Sequence, residues 1–462
     1  MNQIYQNLLD QIPDYKEFLT LEEMDESSQR LAKEHPECVS IFEMGKTREN
    51  RPLYCLKIGS GKHNALMFGC PHPNEPIGTM LMEYFTWQLA ENKELRDQLD
   101  YTWYVVKAWD ADGLKLNEKW LKGPYTLYNY SRNFFRPAGH KQVDWTFPID
   151  YKNLHFHNSI PETVAMQKLI DEIKPKFIYS LHNAGFGGVY WYLTKQTPEI
   201  YPAMRHAAER QEIPLNLGEP EAPYCVSWAP AVYEMLGIKQ DYDYQEKYGI
   251  EHPEENMNVG TCSGDYAAEH YDSFTFLTEL PYFYDKRIGD LSESDMVRKD
   301  AAIQKMDWDD AASAFVRETM ALSSQYMDAE NPFLLALQAF TKEGSNDATR
   351  KMVEENPDFQ KMATVAEKFD NLLVSRFYKL LSYGMLVRAN ESELEKMDAS
   401  GEENPEKRAA LQKAFDIAVK AHKELADQLE KEIDYEVVPI RKLVSIQLEC
   451  GLLVADYVRE HY

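Results

Sequence analysis

The order of hydrophobic and polar positions divides the chain into two parts. From about residue 62 to residue 279, short β-branched and aromatic runs alternate with segments whose apolar residues recur at helical spacing. This alternation predicts an α/β domain. The predicted elements are strands over 64–70, 101–109, 177–181 and 274–278, and helices over 77–84 and 161–173.

Two of these strands lead directly into a residue that can do chemistry. The apolar run from Phe177 to Leu181 ends at His182, and the run from Phe274 to Thr278 ends at Glu279. Open α/β sheets bind ligands at the carboxyl ends of their strands. We therefore expect His182 and Glu279 to face a functional site.

The helix that precedes the His182 strand carries a start signal. Ser159 and Glu162 have the spacing of a capping box, and Pro161 suits the first helical turn. The apolar stripe of this helix reaches Ile173, and Lys174 with its following proline predicts the end.

The last third of the chain has a different pattern. After about residue 291 the strand pattern stops and long helical repeats follow, most clearly over 404–433. We therefore predict two units, a catalytic domain over 1–290 and an all-helical C-terminal extension over 291–462. The extension contains no cluster of potential ligands, which argues against a catalytic role for it.

The composition is that of a folded and strongly acidic protein. The chain has 462 residues, of which 44% are hydrophobic and 27% charged, and this argues against a disordered or fibrous chain. Lys plus Arg total 50 against 76 Asp plus Glu, a net charge of −26. A field of this sign repels nucleic-acid phosphates and anionic lipids, so we expect neither as a partner.

The cysteines and the start of the chain bear on its compartment. Six cysteines lie scattered without a close pair, which favours reduced thiols over a disulfide framework. The first ten residues lack the basic and apolar regions of a signal peptide, and no apolar stretch is long enough for a membrane span. We therefore expect a cytoplasmic protein.

A His and a Glu lie three positions apart where a predicted strand gives way to a helix. His72 and Glu75, in the stretch His72-Pro-Asn-Glu75, can point an imidazole and a carboxylate at one divalent cation. A catalytic zinc takes three protein ligands and leaves one position open. His182 is the best third ligand, because it ends a strand of its own.

Other constellations are weaker. His155 and His157 could place two imidazoles on one strand face as a competing metal pair, but no third ligand is evident nearby. No Gly-x-Ser-x-Gly segment occurs, so a serine hydrolase has little support.

In these residues the chain resembles the zinc carboxypeptidases of the carboxypeptidase A type, also called funnelins. The resemblance covers roughly residues 12 to 290 and includes an opening hairpin over 34–54. Its motifs, in order, are His72-Pro-Asn-Glu75, Asp110-Ala-Asp-Gly113, Pro161-Glu-Thr163, Leu181-His182-Asn183 and Phe274-Thr-Phe-Leu-Thr-Glu279. It implies an α/β fold with a mixed, mostly parallel sheet flanked by helices.

The resemblance also implies the chemistry. One zinc ion per chain would be bound by His72, Glu75 and His182, and Glu279 would be the general base that takes a proton from water. The implied activity is hydrolysis of peptides from their C-terminus. Asp144 matches an aspartate that hydrogen-bonds a zinc-bound histidine in such proteins, and Asp150 is close enough in sequence to compete for that position.

The cation that polarises the scissile carbonyl has two candidates. Arg136 is favoured over Arg132 as the counterpart of the family's arginine, and both are candidates for substrate binding. The Asn-Arg pair that holds a free C-terminal carboxylate in the family is replaced by Thr146 and Phe147, and the arginine between the first two ligands is replaced by Asn74. The usual carboxylate clamp is therefore missing.

Two alternative functions stay open beside the carboxypeptidase activity. The first is an N-acyl amino-acid deacylase of the aspartoacylase type, since those enzymes also carry Asn between the ligands. The second is a metal-binding or peptide-binding relative without turnover, although binding alone needs no general base at Glu279. The expected partner is a peptide or acyl amino-acid substrate, with a homo-oligomer through the C-terminal helices as a further option.

Overall fold

The computed structural model describes residues 3–462 and is built around one large mixed sheet. Its strands are β1 (Val39–Lys46), β2 (Pro52–Ile58), β3 (His63–Phe68), β4 (Tyr101–Val106), β5 (Ile149–Tyr151), β6 (Leu154–Phe156), β7 (Phe177–Leu181), β8 (Tyr190–Leu193), β9 (Ser227–Ala229), β10 (Val232–Glu234), β11 (Phe274–Glu279), β12 (Phe283–Tyr284), β13 (Glu293–Val297), β14 (Met362–Thr364) and β15 (Glu436–Val437).

Helices cover both faces of this sheet and make up most of the C-terminal third. They are α1 (Gln3–Asp10), α2 (Leu21–Glu34), α3 (Ile77–Glu91), α4 (Lys93–Leu99), α5 (Ala111–Leu121), α6 (Leu127–Asn133), α7 (Pro161–Ile173), α8 (Tyr201–Arg210), α9 (Ile238–Lys247), α10 (Ser263–Tyr271), α11 (Arg298–Ala321), α12 (Pro332–Phe340), α13 (Asp347–Glu355), α14 (Val365–Phe369), α15 (Ser375–Ser400), α16 (Pro405–Glu432) and α17 (Ile440–His461). A π-helical turn, Asp370–Val374, joins α14 to α15. Among the described residues, no helix is both long and apolar enough to cross a bilayer.

The main sheet has nine strands in the order β1-β2-β4-β3-β7-β11-β8-β10-β9. Its centre, β4-β3-β7-β11, is parallel, whereas β1, β2 and β4 pair antiparallel at one side and β8 runs antiparallel to β11 at the other. The predicted mixed sheet flanked by helices is confirmed. Fully buried strands such as β7 account for the uninterrupted apolar runs in the sequence.

The predicted capping box at the start of α7 is wrong. The N-cap residue is Ile160, and no side chain caps the helix there. The Glu162 carboxylate is instead used in a tertiary contact, because its Oε1 accepts hydrogen bonds from the Arg48 backbone N–H at 2.9 Å and from Arg48 Nε at 3.0 Å. The buried ion pair fixes the β1–β2 hairpin to α7.

The C-terminal third is mainly helical but not entirely so. β13 pairs with β14, and β15 pairs with β12 of the preceding part. The prediction of an all-helical extension missed these strands because they span only two to five residues, too few for an alternating pattern to be recognised.

Helix α17 covers one face of the central sheet. The Tyr179 hydroxyl of β7 donates to the Gln447 carbonyl at 2.6 Å, and Gly451 lies so close that a Cβ there would be 2.4 Å from the Tyr179 ring. One hydrophobic cluster contains buried residues from Leu8 to Val458. The boundary at residue 290 remains a prediction, and the two parts share this core.

Replacing Gly451 by Val tests how much the fold depends on the close packing of α17 against Tyr179 of β7. The added side chain would collide with the buried Tyr179 ring, and overpacking of this kind costs about 1–3 kcal/mol. We expect a lower urea midpoint at unchanged m-value. Glu460→Ala, an exposed position of the same helix, is the control. A Gly451→Val midpoint equal to that of the control would contradict this packing.

Candidate metal centre and active-site cleft

The loop between β3 and α3 carries His72 and Glu75 to the end of the sheet. Gly78, in the first turn of α3, lies directly against β7, since a Cβ at this position would be 2.3 Å from the Leu181 Cβ. The Asn183 side chain, just after β7, accepts a hydrogen bond from the Ile77 N–H at 3.0 Å. This close packing places Glu75 beside the residue that follows Leu181.

His72, Glu75 and His182 converge in the structure. Glu75 Oε1 lies 3.0 Å from His72 Nδ1, and Glu75 Oε2 lies 3.0 Å from His182 Nδ1. One potential ligand atom from each residue lies within 4.8 Å of the other two, and all three residues are buried. Within residues 3–462, this is the group of three or more His, Cys, Asp or Glu side chains found close enough to hold a metal ion.

The protonation of this group suits a cation. Burial, followed by the charge of Arg136, lowers the pKa of His72 to about 3, so its imidazole is neutral. Burial alone would raise the pKa of Glu75, but the two neighbouring imidazoles hold it below its ordinary value. His182 Nδ1 is buried facing Glu75 Oε2, while its Nε2 contacts Ser180 Oγ at 2.8 Å. Two imidazoles and one carboxylate form a His₂Glu set, which suits zinc.

Glu279 ends β11 beside this group. Its Oε1 lies 3.8 Å from His182 Nδ1, and its Oε2 is buried without a hydrogen-bond partner. Burial, and then the charges of Glu75 and Glu221, raise the pKa of the Glu279 carboxyl well above its ordinary value. Such a carboxyl has a high proton affinity, which a general base requires.

Of the two predicted arginines, the structure brings only Arg136 into the cleft. Arg136 Nη2 donates to His72 Nε2 at 2.8 Å, and its Nη1 lies 3.6 Å from Glu75 Oε1. Arg132 lies in the last turn of α6 and donates instead to Glu391 of α15 at 2.7 Å. Arg132 is not among the described residues that line the cleft.

Asp144 is close to the site but does not make the predicted bond. Its Oδ1 accepts a hydrogen bond from the Ser263 N–H at 2.7 Å, and burial raises its pKa to about 6. Within the described chain, no hydrogen bond joins Asp144 to His72 or His182. Asp144 lines the same small pocket as both histidines.

The competing histidine pair lies elsewhere. His155 and His157 are exposed on the β5–β6 hairpin and share one acceptor, Asp150 Oδ1, at 2.7 and 3.1 Å. The sequence offered no third metal ligand near this histidine pair. In the structure, Asp150 is a hydrogen-bond partner of both imidazoles on the exposed side of the hairpin.

Thr146 and Phe147, at the positions of the missing clamp, are both buried and present no charge. The Thr146 hydroxyl shares a hydrogen bond with Thr163 at 2.6 Å, and the Phe147 ring packs edge-on against Trp109. Neither side chain can therefore bind a substrate carboxylate as an arginine would.

The cleft that His72 and Glu75 border has a volume of about 480 Å³ and is lined by both parts of the chain. Tyr190, Asn183 and Glu221 line it from the sheet side, and Tyr378 lines it from α15. Sequence reasoning missed these residues, because nothing in their spacing links a loop near residue 220 or a helix near residue 378 to His72.

Comparison with known proteins agrees with this geometry. The family model described as zinc carboxypeptidase matches residues 24–288, more than half of the chain. The chain belongs to the zinc carboxypeptidase family.

Individual relatives are similar over shorter stretches. Mast cell carboxypeptidase A of Rattus norvegicus is 32% identical over 114 residues, which are 23% of this chain and 27% of that protein. Zinc carboxypeptidase A 1 of Anopheles gambiae is 29% identical over 118 residues, 24% of this chain and 27% of that protein. The match thus spans about a quarter of the length of these relatives. The crystal structure of carboxypeptidase A from Helicoverpa armigera matches with a TM-score of 0.38 at 17% identity, over 61% of this chain and 71% of that one.

Zinc titration of the metal-free protein tests the centre. We expect about one zinc per chain. His182→Ala should weaken zinc affinity by more than about 100-fold, since even the outer partners of metal ligands contribute about 10- to 100-fold. The matched control is His155→Ala, on the exposed hairpin. Calorimetry that finds equal zinc affinity in both variants would exclude His182 as a ligand.

Proposed function

We propose that this protein is a zinc-dependent peptidase that removes residues from the C-terminus of peptides. The observation that carries the proposal is the unpartnered carboxylate of Glu279 beside the convergent His72, Glu75 and His182. Zinc bound by these three residues would supply Lewis acidity toward water and a substrate carbonyl.

The remaining steps belong to side chains of this protein. Glu279 accepts a proton from the attacking water and donates it to the leaving nitrogen, for which its raised pKa is suited. Arg136 faces the same space and would stabilise negative charge that develops on the carbonyl oxygen. A binding protein without turnover would have no use for a buried carboxylate of this kind.

The C-terminal region contributes a wall of the cleft. Tyr378 of α15 donates to the Phe186 carbonyl at 3.2 Å, in the segment that follows the third ligand. We propose that residues 291–462 shape access to the site without taking part in the chemistry. Association of copies through these helices is a further proposal, for which the sequence gives the only support.

A cytoplasmic location is also proposed. It is supported by the six cysteines, all of which are free in the structure. A reducing compartment keeps thiols in this state.

Glu279→Gln separates metal binding from hydrolysis. The amide cannot accept the water's proton, so kcat should fall by about 10²- to 10⁴-fold while the zinc content stays unchanged. Glu209→Gln, at an exposed carboxylate of α8, is the matched control. Near-normal turnover of Glu279→Gln would show that another group is the base.

The missing carboxylate clamp predicts weak selection for a free C-terminus. A peptide and its C-terminal amide should have kcat/KM values within about tenfold of each other, because Thr146 and Phe147 present no cation to the terminal carboxylate. The measurement is a comparison of initial rates at low substrate concentration. A preference for the free acid beyond about a thousandfold, or about 4 kcal/mol, would mean that a dedicated cation elsewhere binds the carboxylate.

A further inference from the structure

A second cavity lies in the C-terminal region, beside the cleft. It has a volume of about 800 Å³, larger than the 480 Å³ of the cleft. Its walls come from α11, α14, α15, the π-helical turn and β13, together with single residues before and after them. None of His72, Glu75 and His182 is among its described lining residues. Lys305 and Ser375 line both spaces, so the two adjoin.

The lining of this space, the basic cavity, is positive although the chain is strongly acidic. Four basic side chains border it against two acidic ones, whereas the whole chain has 50 basic residues against 76 acidic ones. The basic residues are Arg287, Lys305, Lys368 and Arg376, and the acidic ones are Asp295 and Glu432. Charges of one sign in a concave surface attract ligands of the opposite sign.

The two arginines are held by carboxylates and lie over an aromatic or acidic neighbour. Arg287 donates to Asp285 through Nε at 3.0 Å and through Nη2 at 2.5 Å, and its guanidinium carbon lies 4.4 Å from the centre of the Phe369 ring. Arg376 Nη1 donates to Glu432 Oε2 at 2.8 Å. Arg376 Nε is buried without a hydrogen-bond partner among the described residues, so one donor of this lining residue is unused.

Lys305 is the cation of the basic cavity that lacks an ion-pair partner. The other three each pair with a carboxylate, but within residues 3–462 no Asp or Glu oxygen lies within 4.0 Å of Lys305 Nζ. Lys305 is near enough to Asp309 and Asp370 to lower the pKa of both carboxyls. Burial is the larger effect, and it raises the pKa of Asp370 to about 7 and that of Asp309 above its ordinary value. Near neutral pH these carboxyls therefore compensate the ammonium only in part.

The rest of the lining is largely apolar. It includes the aromatic and aliphatic residues Trp308, Val365, Phe369, Leu372 and Leu373. Small-molecule sites have volumes of about 300–1,000 Å³ and combine such a lining with a few polar groups that orient the ligand. The two leucines belong to the π-helical turn, and turns of this kind occur frequently at functional sites. The cavity therefore suits a ligand with an apolar body and a negative group.

We propose that the basic cavity binds an organic anion, a carboxylate or phosphate carried by an apolar or aromatic body, whose negative group pairs with Lys305. This binding needs neither zinc nor Glu279, so the inference goes beyond the proposed peptidase function. Because the cavity adjoins the cleft, two sources of the anion fit this chemistry. One is a free small molecule, and the other is an acidic residue in the N-terminal part of a peptide substrate.

Naphthalene probes that differ in charge test the basic cavity. Naphthalene-2-carboxylate, 2-naphthyl phosphate and the neutral naphthalene-2-carboxamide are titrated into the zinc-loaded protein by calorimetry. We expect at least one of the two anions to bind about tenfold more tightly than the amide. Lys305→Gln should remove that advantage without changing the Kd of the amide, and Lys305→Arg should retain it.

The matched control is Lys413→Gln, at an exposed lysine of α16 that also has no ion pair among the described residues. It should bind all three probes as the wild-type protein does. The proposal is overturned if neither anion binds more tightly than the amide, or if the anions bind Lys305→Gln and the wild-type protein equally well.

A displacement measurement distinguishes the two sources of the anion. The peptides Glu-Glu-Glu-Gly-Gly-Phe and Gln-Gln-Gln-Gly-Gly-Phe are added, at concentrations that saturate the cleft, to zinc-loaded Glu279→Gln with the anionic probe bound. Displacement by the glutamate peptide alone supports the cavity and assigns the anion to the substrate. Displacement by neither peptide supports the cavity as a site for a free organic anion. Equal displacement by both peptides would show that the probe occupies the cleft, which overturns the proposal. Failure of the proposed hydrolysis would leave the Lys305-dependent titration unaffected.

Discussion

The register of the parallel strands β3, β7 and β11 determines the geometry of the site. Phe68 pairs with Ser180 and Leu181 pairs with Thr278, so the three strands end at the same edge of the sheet. The residues that follow are thereby brought together although they are far apart in sequence. A slip of one residue in any of these strands would point its terminal side chain to the other face. The metal centre therefore depends on the backbone pairing of the core.

The C-terminal region is part of that same construction. Helix α17 packs on the sheet beneath the site, and the Gln447 amide donates to the His182 carbonyl at 3.3 Å. On the other side, α15 and the π-helical turn border the cleft and hold the loop before Glu221. Helix α17 thus contacts the residue that follows β7, and α15 forms a wall of the cleft. The two parts of the chain therefore meet at the site as well as in their shared core.

The sequence predicted those features whose signal is local. Buried parallel strands read as uninterrupted apolar runs, so the strands ending at His182 and Glu279 were recognisable, and family resemblance related them to His72. Contacts between residues that are far apart in sequence leave no local pattern of this kind. Arg132 and Arg136 lie four positions apart, and α6 ends between them. Because of that helix end, Arg132 contacts α15 and Arg136 contacts His72. The predicted capping box at Ser159 is wrong for a related reason, because the Glu162 carboxylate pairs with Arg48 in a tertiary contact.

Buried carboxyl groups dominate the electrostatics of the cleft. Glu279 and Asp144 are buried beside Glu75, and burial raises the pKa of both of these carboxyls. Arg136 supplies one positive charge for this group, and its guanidinium is only partly buried. A divalent cation held by His72, Glu75 and His182 would supply more, and it would bind the folded arrangement better than a separated set of ligands. Glu75 would bind that cation directly, whereas Glu279 and Asp144 would add negative charge around it, as expected of a functional site.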